Sequence, residues 1–482
     1  MVLSGKEISV SWLSKVWGKD TDLIVGVMPH QTMGFWRSLW QALQHLLTAA
    51  GANILGPILM HLDPGMALFT SGIGTLIYNR FVGVPAYMGT SFSYIAVIAY
   101  VMTSPWGSQN MVAGGIIVAG LTTMLVGVIV KLVGYRWVNV LIRPAVWAMV
   151  VIAIGLILGP TAFGSAIQQP TLAIVTFVLG VIFATMFKKD SLFSALPILL
   201  AMIASYAVAL FMGQVNLAPV EAAPWFTLPR FVVPVFDVRV CLPMALVTLT
   251  AVIMEHIGHL KGMSSIVGAE NYDERMARSL FFDGVSNALS WSGTPSVTYG
   301  ENMGVFAITR VFSLKVMYLA GGIAVLAGFL GKLSPLISSI PSGVLGGATF
   351  LLFGMIAWAG FRLFTVEGEG RIDLSDRKNQ VIVAAMGTMM VVGTTVDYLR
   401  TALAGITPED LASSPASVAT AVKSLQFLCH SLRIGNSEIP ALVAVALLGI
   451  AMNVVLNFRE ILGEFRKKPV AEAVTSEAVA GK

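Results

Sequence analysis

Charged residues are scarce in this chain. Only 11% of its 482 residues are Asp, Glu, Lys or Arg, whereas 56% are hydrophobic. Soluble globular proteins carry about 25% charged residues, so this scarcity excludes an ordinary soluble domain. The two cysteines, Cys241 and Cys429, and the absence of a CxxC pair exclude a disulfide framework. We therefore expect an integral membrane protein with no metal site and no cofactor.

Motifs of enzyme chemistry are also absent. The chain has no GxSxG, P-loop, HExxH or DxDxDG sequence. Its basic residues are dispersed over loops rather than gathered in one groove, which argues against nucleic-acid binding. A channel would need rings of carbonyl groups or charges along a continuous path, and no such pattern is evident. We expect a protein that is not an enzyme.

Apolar runs of about 17 to 25 residues recur along the chain, which is the length of a helix that spans a bilayer. They predict an all-α membrane protein with fourteen transmembrane segments. The predicted spans are 39–60, 66–81, 86–102, 111–133, 140–158, 172–187, 192–212, 242–260, 280–292, 297–308, 314–333, 344–363, 381–396 and 439–456.

The distribution of Lys and Arg indicates the orientation. If the N-terminus is inside, six of the 30 basic residues lie on the outer side and the other 24 lie on the inner side or in the tails. The six are Arg230, Arg239, Lys332, Arg400, Lys423 and Arg433. This asymmetry predicts an even number of spans and cytoplasmic termini.

The segment 294–310, TPSVTYGENMGVFAITR, combines Glu301 and Asn302 with Pro295 and two glycines. A carboxylate beside broken backbone at membrane depth is tolerated where it lines a cavity. The segment 84–94, VPAYMGTSFSY, has a similar Pro, Gly and hydroxyl pattern in the third span. Paired interrupted segments indicate a midplane site between two inverted repeats of seven spans. The alternative is that Pro and Gly are simply common in membrane helices.

Other polar residues lie within predicted spans. Glu255 and His259 are four residues apart, so they share one helix face and could relay a proton. Alternatively, they are a helix-end pair in the headgroup layer. Asp283 could belong to the proton path or could tie helices together. Gln44 and His45, near a run of small residues, are interpreted as hydrogen-bonding residues that support the site.

The run ENMGVFAITR, together with QHLLTAAGANILGPIL, SGIGTLIY, VPAYMGTSFSY, EHIGHL and TYGENMGV, resembles the nucleobase-ascorbate transporter family, also called nucleobase cation symporter family two. The similarity covers about 41–360 and is strongest to the family's bacterial uracil permeases. It implies a seven-plus-seven inverted repeat, short extended strands in spans three and ten, and a homodimer that forms through gate domains.

The resemblance also implies a division into domains. A core domain comprises 37–134 and 239–334, and a gate domain comprises 135–238 and 335–458. The gate domain includes the long external segment 397–438, while the N-terminal extension 1–36 and the C-terminal tail 459–482 lie outside both domains.

The resemblance further implies which residues bind the substrate and couple the proton. The implied substrate-binding residues are Glu255, Glu301, Phe92, Gly300, Tyr299 and Ala52, with Phe92 and Gly300 acting through their backbone N–H groups. The implied proton-coupling residues are His259, Glu255 and Asp283. The implied supporting residues are Gln44, His45 and Asn302.

Three positions bear on the substrate that the resemblance implies. Asp283 stands where uracil permeases tend to carry Asn and xanthine-type members carry Asp. Glu301 and His259, however, stand where xanthine-type members carry Gln and Asp. We expect a proton-coupled importer of uracil in a bacterial inner membrane. The alternatives are a purine permease, such as one for xanthine, and a membrane-embedded sensor that does not transport.

Overall fold

The computed structural model describes residues 27–135, 138, 143–188, 192–267, 272–365, 372–403, 413, 415–430, 433–434, 437–438 and 440–460. Most of the predicted N-terminal extension and C-terminal tail, and part of the external segment 397–438, lie outside the described residues.

Helices make up most of the described chain. In the first half they are α1 Phe35–Leu59, α2 Pro64–Val82, α3 Ile95–Thr103, α4 Gln109–Val133, α5 Pro144–Ile157, α6 Gly159–Ala166, α7 Pro170–Met186, α8 Pro197–Phe211 and α9 Ala218–Ala222. In the second half they are α10 Val238–Val247, α11 Ile253–Val267, α12 Met276–Leu289, α13 Glu301–Thr309, α14 Leu314–Ala327, α15 Leu333–Ser338, α16 Ser342–Thr365, α17 Arg377–Leu403, α18 Ala416–His430 and α19 Ala441–Leu456. The prediction of a helical membrane protein is confirmed at this level.

Six helical stretches in the described chain are long and apolar enough to cross a membrane. They are Phe35–Leu59, Gln109–Val133, Pro144–Ala166, Val238–Val267, Ser342–Arg362 and Arg377–Val396. Five further apolar helices have 10–17 residues. Large apolar side chains lie on the outer surface, and Phe211 is 92% exposed. Such a surface fits a lipid environment rather than water.

The helix ends differ from the predicted spans by several residues. Helix α1 begins at Phe35 rather than at residue 39, and α17 continues to Leu403, into the predicted external segment 397–438. Helix α18 also lies within that segment. Apolar runs report the thickness of the hydrocarbon core, whereas a helix continues past it wherever the backbone can keep its hydrogen bonds.

Two pairs of short strands interrupt the helices. Strands β1, Met88–Thr90, and β2, Ser296–Thr298, pair antiparallel, with Met88 opposite Thr298 and Thr90 opposite Ser296. Strands β3, Arg433–Ile434, and β4, Ser437–Glu438, form a second antiparallel pair. β1 and β2 lie in the segments 84–94 and 294–304, where the sequence predicts broken backbone.

The helices form two packing groups. Helices α2 and α14 pack together, as do α4 and α12, and α12 also packs on α2. Helix α16 packs on α5, α6 and α7, while α17 packs on α19. The strand pair β1–β2 is held by α1, α2 and α12, within the first group.

Glycines permit two close helix crossings in the first group. A Cβ atom at Gly72 of α2 would lie 2.5 Å from the carbonyl oxygen of Gly321 on α14. A Cβ atom at Gly120 of α4 would lie 2.6 Å from the carbonyl oxygen of Gly284 on α12. Small residues at such crossings allow the backbones to touch, which is the usual basis of helix packing in membranes.

Candidate functional site

The paired strands β1 and β2 form the centre of the candidate site. Every residue in both strands is buried. The pairing is extended at each end, because Ser91 N donates to Pro295 O at 2.9 Å and Tyr299 N donates to Tyr87 O at 2.9 Å. Each strand has only one neighbour, so backbone groups on its other edge need partners from side chains.

Helix α2 supplies those partners to β1 from one polar face. Ser71, Thr75 and Asn79 are spaced four residues apart and therefore lie above one another. The Ser71 hydroxyl donates to the Met88 carbonyl, and the Met88 N–H donates to Thr75 Oγ1 at 2.9 Å. Asn79 accepts from Ala86 N at 3.1 Å and donates to Ala86 O at 2.6 Å. These bonds stabilise an extended segment where a helix would otherwise continue.

Helix α12 and the serine that follows it supply hydrogen-bond partners to β2 in the same way. Asn287 Oδ1 accepts from the Ser296 N–H at 3.1 Å, and the hydroxyls of Ser290 and Ser296 lie 3.4 Å apart. The two strands are thus each held by a polar face of one neighbouring helix.

Glu255 lies on α11, directly after a π-helical turn formed by Thr248–Val252. Its Oε2 accepts hydrogen bonds from Ser93 Oγ at 3.2 Å and from Ser91 Oγ at 3.5 Å. Both serines follow β1. Insertions of this π type are frequent at functional sites, because they turn side chains out of the helical register.

Glu301 is the first residue of α13 and follows β2 after two intervening residues, Tyr299 and Gly300. A carboxylate at a helix N-terminus is favoured by the unpaired N–H groups and by the helix dipole. Glu255 is bonded to the serines that follow β1, and Glu301 begins the helix that follows β2, so the paired strands bring these two predicted ligands to the same region. Both side chains are only partly buried by the protein.

His259 reaches the same place from α11. Its Nδ1 lies 3.3 Å from Thr298 Oγ1, and a methyl group at Gly300 would lie 2.7 Å from its Nε2. Glycine at position 300 therefore leaves room for the imidazole. Among the described residues, no hydrogen bond joins Glu255 to His259, although the sequence places both on one helix face. Their partners are the serines after β1 and Thr298 of β2, respectively.

The predicted site includes two backbone amides, those of Phe92 and Gly300. In the described part of the chain, neither the Phe92 N–H nor the Gly300 N–H donates to a protein acceptor. Phe92 begins a 3-10 turn, Phe92–Tyr94, and Gly300 is the N-cap of α13. Amides at helix starts point away from the helix and have no acceptor within it.

Tyr299 lies at the strand crossing, whereas Ala52 is placed only as a buried residue of α1. The Tyr299 ring lies flat against Gly89, where a Cβ atom would come within 2.3 Å of its Cζ. The Tyr299 hydroxyl donates to Asn53 Oδ1 at 2.9 Å, and the same oxygen accepts from the Thr90 N–H at 3.2 Å. Ala52 is buried next to Asn53. The sequence reasoning did not single out Asn53, although an amide in an apolar span is a signal that could have drawn attention to it.

The predicted supporting residues are brought together in part. Asn302 Nδ2 donates to His45 Nδ1 at 3.1 Å and to His45 O at 3.3 Å, which joins α13 to α1. Gln44 Oε1, His45 Nε2 and Asn302 Oδ1 are buried with no hydrogen-bond partner among the described residues. Gln44 is thus near this contact in sequence but does not share its hydrogen bonds.

Asp283 has a partner that the sequence reasoning did not name. His256 Nδ1 lies 3.1 Å from Asp283 Oδ1, and both side chains are 0% exposed. The contact has ion-pair distance without the alignment of a hydrogen bond. His256 belongs to the run EHIGHL, in which the sequence analysis paired Glu255 with His259 and gave His256 no role.

Two contacts join the site to the second packing group. The rings of Phe92 and Phe353 of α16 meet edge to face, with centroids 6.3 Å apart. Trp147 of α5 packs on Gly258 of α11, where a Cβ atom would lie 2.5 Å from the indole Cζ2. The site therefore lies close to the boundary between the groups.

A narrow cavity with room for about one water molecule lies beside the strands. Tyr78, His259, Thr298, Tyr299 and Met303 are among its lining residues. In the described part of the chain, no group of three or more His, Cys, Asp or Glu residues could hold a metal ion.

Comparison with known proteins adds independent information. A family model described as "Permease family" matches residues 37–400. The chain is 39% identical to the uracil permease of Bacillus caldolyticus, over 75% of this chain and 86% of that protein. It is 36% identical to the uracil permease of Bacillus subtilis, over 79% of this chain and 90% of that protein.

Among solved structures, the transmembrane domain of a cyanobacterium bicarbonate transporter, BicA, has a similar fold. The TM-score is 0.59 at 17% identity, over 75% of this chain and 96% of that one. Identity this low speaks to the fold alone.

Proposed function

Because the chain belongs to the nucleobase-ascorbate transporter family and its relatives are named permeases rather than enzymes, we propose that it imports uracil by proton symport. It is a multi-pass membrane protein and a nucleobase transporter. The observation that carries the choice of uracil is that each of two carboxylates lies beside an unpaired backbone amide. Glu255 bonds the serines on either side of Phe92, and Glu301 follows Gly300.

The chemistry of a uracil edge matches these groups. Uracil presents two N–H donors and two carbonyl acceptors. The carboxylates of Glu255 and Glu301 would accept from the donors, while the N–H groups of Phe92 and Gly300 would donate to the carbonyls. Tyr299 and Ala52 would pack against the ring. Each hydrogen bond that an analogue fails to make would cost about 1 to 3 kcal/mol, because a buried polar group is left unpaired.

We extend the proposal to the architecture, which we assign as fourteen spans in two inverted repeats of seven. Spans one to fourteen would correspond to α1, α2, β1 with α3, α4, α5, α7, α8, α10 with α11, α12, β2 with α13, α14, α16, α17 and α19. The packing supports this scheme, because a contact between two spans recurs between their counterparts in the other repeat, seven places away in span number. The pair α2–α14, spans two and eleven, has its counterpart in α12–α4, spans nine and four.

The two packing groups would be the core and gate domains of an alternating-access transporter. The core holds the strands and carboxylates, and the gate contributes Phe353 and Trp147 at the boundary. A proton from outside would be taken up by the group Glu255, His259 and Asp283 and would reduce the net negative charge of the site. Occluding the site in a low-dielectric interior would then cost less, and the two domains would rock to release base and proton inside.

The proposal includes a bacterial inner-membrane location, cytoplasmic termini and a homodimer that forms through the gate domains. The asymmetry of Lys and Arg supports the orientation. Cysteine labelling of intact cells would test the termini, and cross-linking between gate surfaces in native membranes would test the dimer.

The central experiment is uptake of labelled uracil by proteoliposomes with an imposed pH gradient. We expect labelled uracil to accumulate. Unlabelled uracil should reduce this accumulation, xanthine should not, and an ionophore that collapses the proton gradient should abolish it. Glu301→Gln should lose uptake, whereas Glu221→Gln, an exposed carboxylate far along the chain from the site, should retain it. Competition by xanthine would instead identify a purine permease. Tight binding without accumulation would identify a sensor, and uptake that ignores the proton gradient would exclude symport.

A further inference from the structure

The hydroxyl of Thr298 lies between two histidines. Its Oγ1 is 3.3 Å from Nδ1 of His259 and 3.3 Å from Nδ1 of His256. Thr298 is the last residue of β2, and both histidines are on α11. A hydroxyl has one hydrogen, so it can donate to one imidazole only and must accept from the other. The three groups can therefore form a directed hydrogen-bond chain.

The inner end of this chain is a buried His256–Asp283 contact. His256 Nε2 lies 2.7 Å from Ser279 Oγ, which in turn is 2.6 Å from the Tyr78 hydroxyl. This bond holds the ring with its Nδ1 toward Thr298 and toward Asp283 Oδ1, 3.1 Å away. Neither carboxylate oxygen of Asp283 has a hydrogen-bond partner among the described residues. Such a buried, unpaired acceptor needs an explanation.

We propose that Thr298 relays a proton from His259 to the His256–Asp283 pair, which stores it while the substrate site is occluded. A proton that reaches Nε2 of His259 releases the proton on Nδ1 to the Thr298 oxygen. The hydrogen already on that oxygen passes to Nδ1 of His256. The product is a His256 imidazolium beside the Asp283 carboxylate. Every bond that breaks is replaced, and only the one incoming proton is needed.

The surroundings of the pair agree with this end point. Glu255 and His259 share α11 with His256, and the Tyr78 hydroxyl bonds to Ser279, which contacts the His256 ring. Of these groups, only the two histidines can hold a positive charge. The relay would thus keep the stored proton apart from the uracil ligands, while Thr298 keeps it coupled to β2, the strand that leads into Gly300 and Glu301.

The inference rests on the proposed function, and its test separates the two. In proteoliposomes, uracil counterflow measures exchange without net proton movement, whereas accumulation under a pH gradient measures coupling. Thr298→Val has nearly the same shape as threonine but lacks the hydroxyl. We expect it to lower accumulation by roughly tenfold or more while counterflow stays close to wild type. Thr298→Ser should restore accumulation.

Two further variants keep the test decisive. Thr176→Val removes a different buried hydroxyl, which donates to the Leu172 carbonyl at 2.7 Å within α7 of the second packing group, and it should leave accumulation unchanged. His256→Asn can hold a hydrogen bond but cannot take a proton, so it should show the same loss of accumulation with retained counterflow. It provides the test if Thr298→Val does not fold. Wild-type ratios of accumulation to counterflow in Thr298→Val or His256→Asn would overturn the relay. Absence of uracil counterflow in the wild type would instead overturn the proposed function.

Discussion

The hydroxyl of Tyr299 donates a hydrogen bond to the side-chain oxygen of Asn53 at 2.9 Å. The bond links α1 to the residue that follows β2, across 246 positions of sequence. The same Asn53 oxygen accepts from the Thr90 N–H of β1. A single amide thus holds both strands and the aromatic ring beside them, in an interior where an unpaired donor is costly.

Asn53→Leu keeps the size of the side chain but leaves the Tyr299 hydroxyl and the Thr90 N–H without an acceptor. We expect a loss of about 1 to 3 kcal/mol of stability for each unpaired donor and weaker uracil binding. Thermal unfolding in detergent and equilibrium binding would measure the two effects. Asn110→Leu, which removes only an exposed bond to Val233, is the control. Unfolding of Asn53→Leu at the wild-type temperature would contradict this role.

Substitution of alanine for glycine should have opposite effects at Gly89 and Gly304, which lie in the two similar motifs. A methyl group at Gly89 would meet the Tyr299 ring at 2.3 Å, whereas one at Gly304 would meet nothing within 4 Å. Gly89→Ala should therefore displace the ring and weaken uracil binding by roughly tenfold or more. Gly304→Ala should bind normally and, because alanine favours a helix, gain up to about 1 kcal/mol of stability. Equal affinities in the two variants would contradict the placement of Tyr299.

The location of the site could be predicted from local sequence, but its partners could not. Pro85 and Pro295, with glycines and hydroxyl residues after them, predict broken backbone near β1 and β2. The pairing of Met88 with Thr298 joins segments more than 200 residues apart, and nothing in either segment encodes that register. Helix periodicity indicates which residues share a face, but it does not tell which neighbouring helix that face meets.

Asp283 illustrates the same limit. The sequence predicts a buried carboxylate, and the i, i+4 spacing favours Glu255 and His259 as a pair. In the structure Asp283 contacts His256, because α12 approaches α11 from the side on which His256 lies. Helix α12 also crosses α4 closely at Gly120 and Gly284, so its position is shared among several helices and is not encoded in one segment.

The Arg239 guanidinium bonds to both carboxylate oxygens of Asp237, at 2.7 and 3.0 Å, and holds the pKa of that carboxyl below its usual range. Because the pKa is lowered in the folded protein, the stabilisation is present above the unfolded pKa of about 3.9 and is lost as the pH falls through the folded pKa. Asp237→Asn should remove this acid-dependent part of the stability. The variant should therefore be somewhat less stable than the wild type near neutral pH and should approach wild-type stability as the pH falls, while asparagine still caps α10.

Melting temperatures measured from about pH 6 down to about pH 3 would test this prediction. Glu221→Gln, an exposed carboxylate without an ion pair among the described residues, is the control for a general effect of charge. A steeper loss of stability with acid in Asp237→Asn than in the wild type would reverse the predicted sign.

Gly258 and Trp147 meet where the two packing groups touch, and this contact should limit their relative movement. A methyl group at Gly258 would lie 2.5 Å from the indole, so Gly258→Ala should obstruct sliding and lower the uptake rate by roughly tenfold. Uracil affinity should fall less, because Gly258 faces the indole and not the carboxylates. Adding Trp147→Phe, with its smaller ring, should restore part of the rate. Gly354→Ala, where a methyl group meets nothing within 4 Å, should transport normally. If Trp147→Phe gave no rescue while both proteins remained folded, the defect of Gly258→Ala would have to arise within α11 itself rather than at its contact with α5.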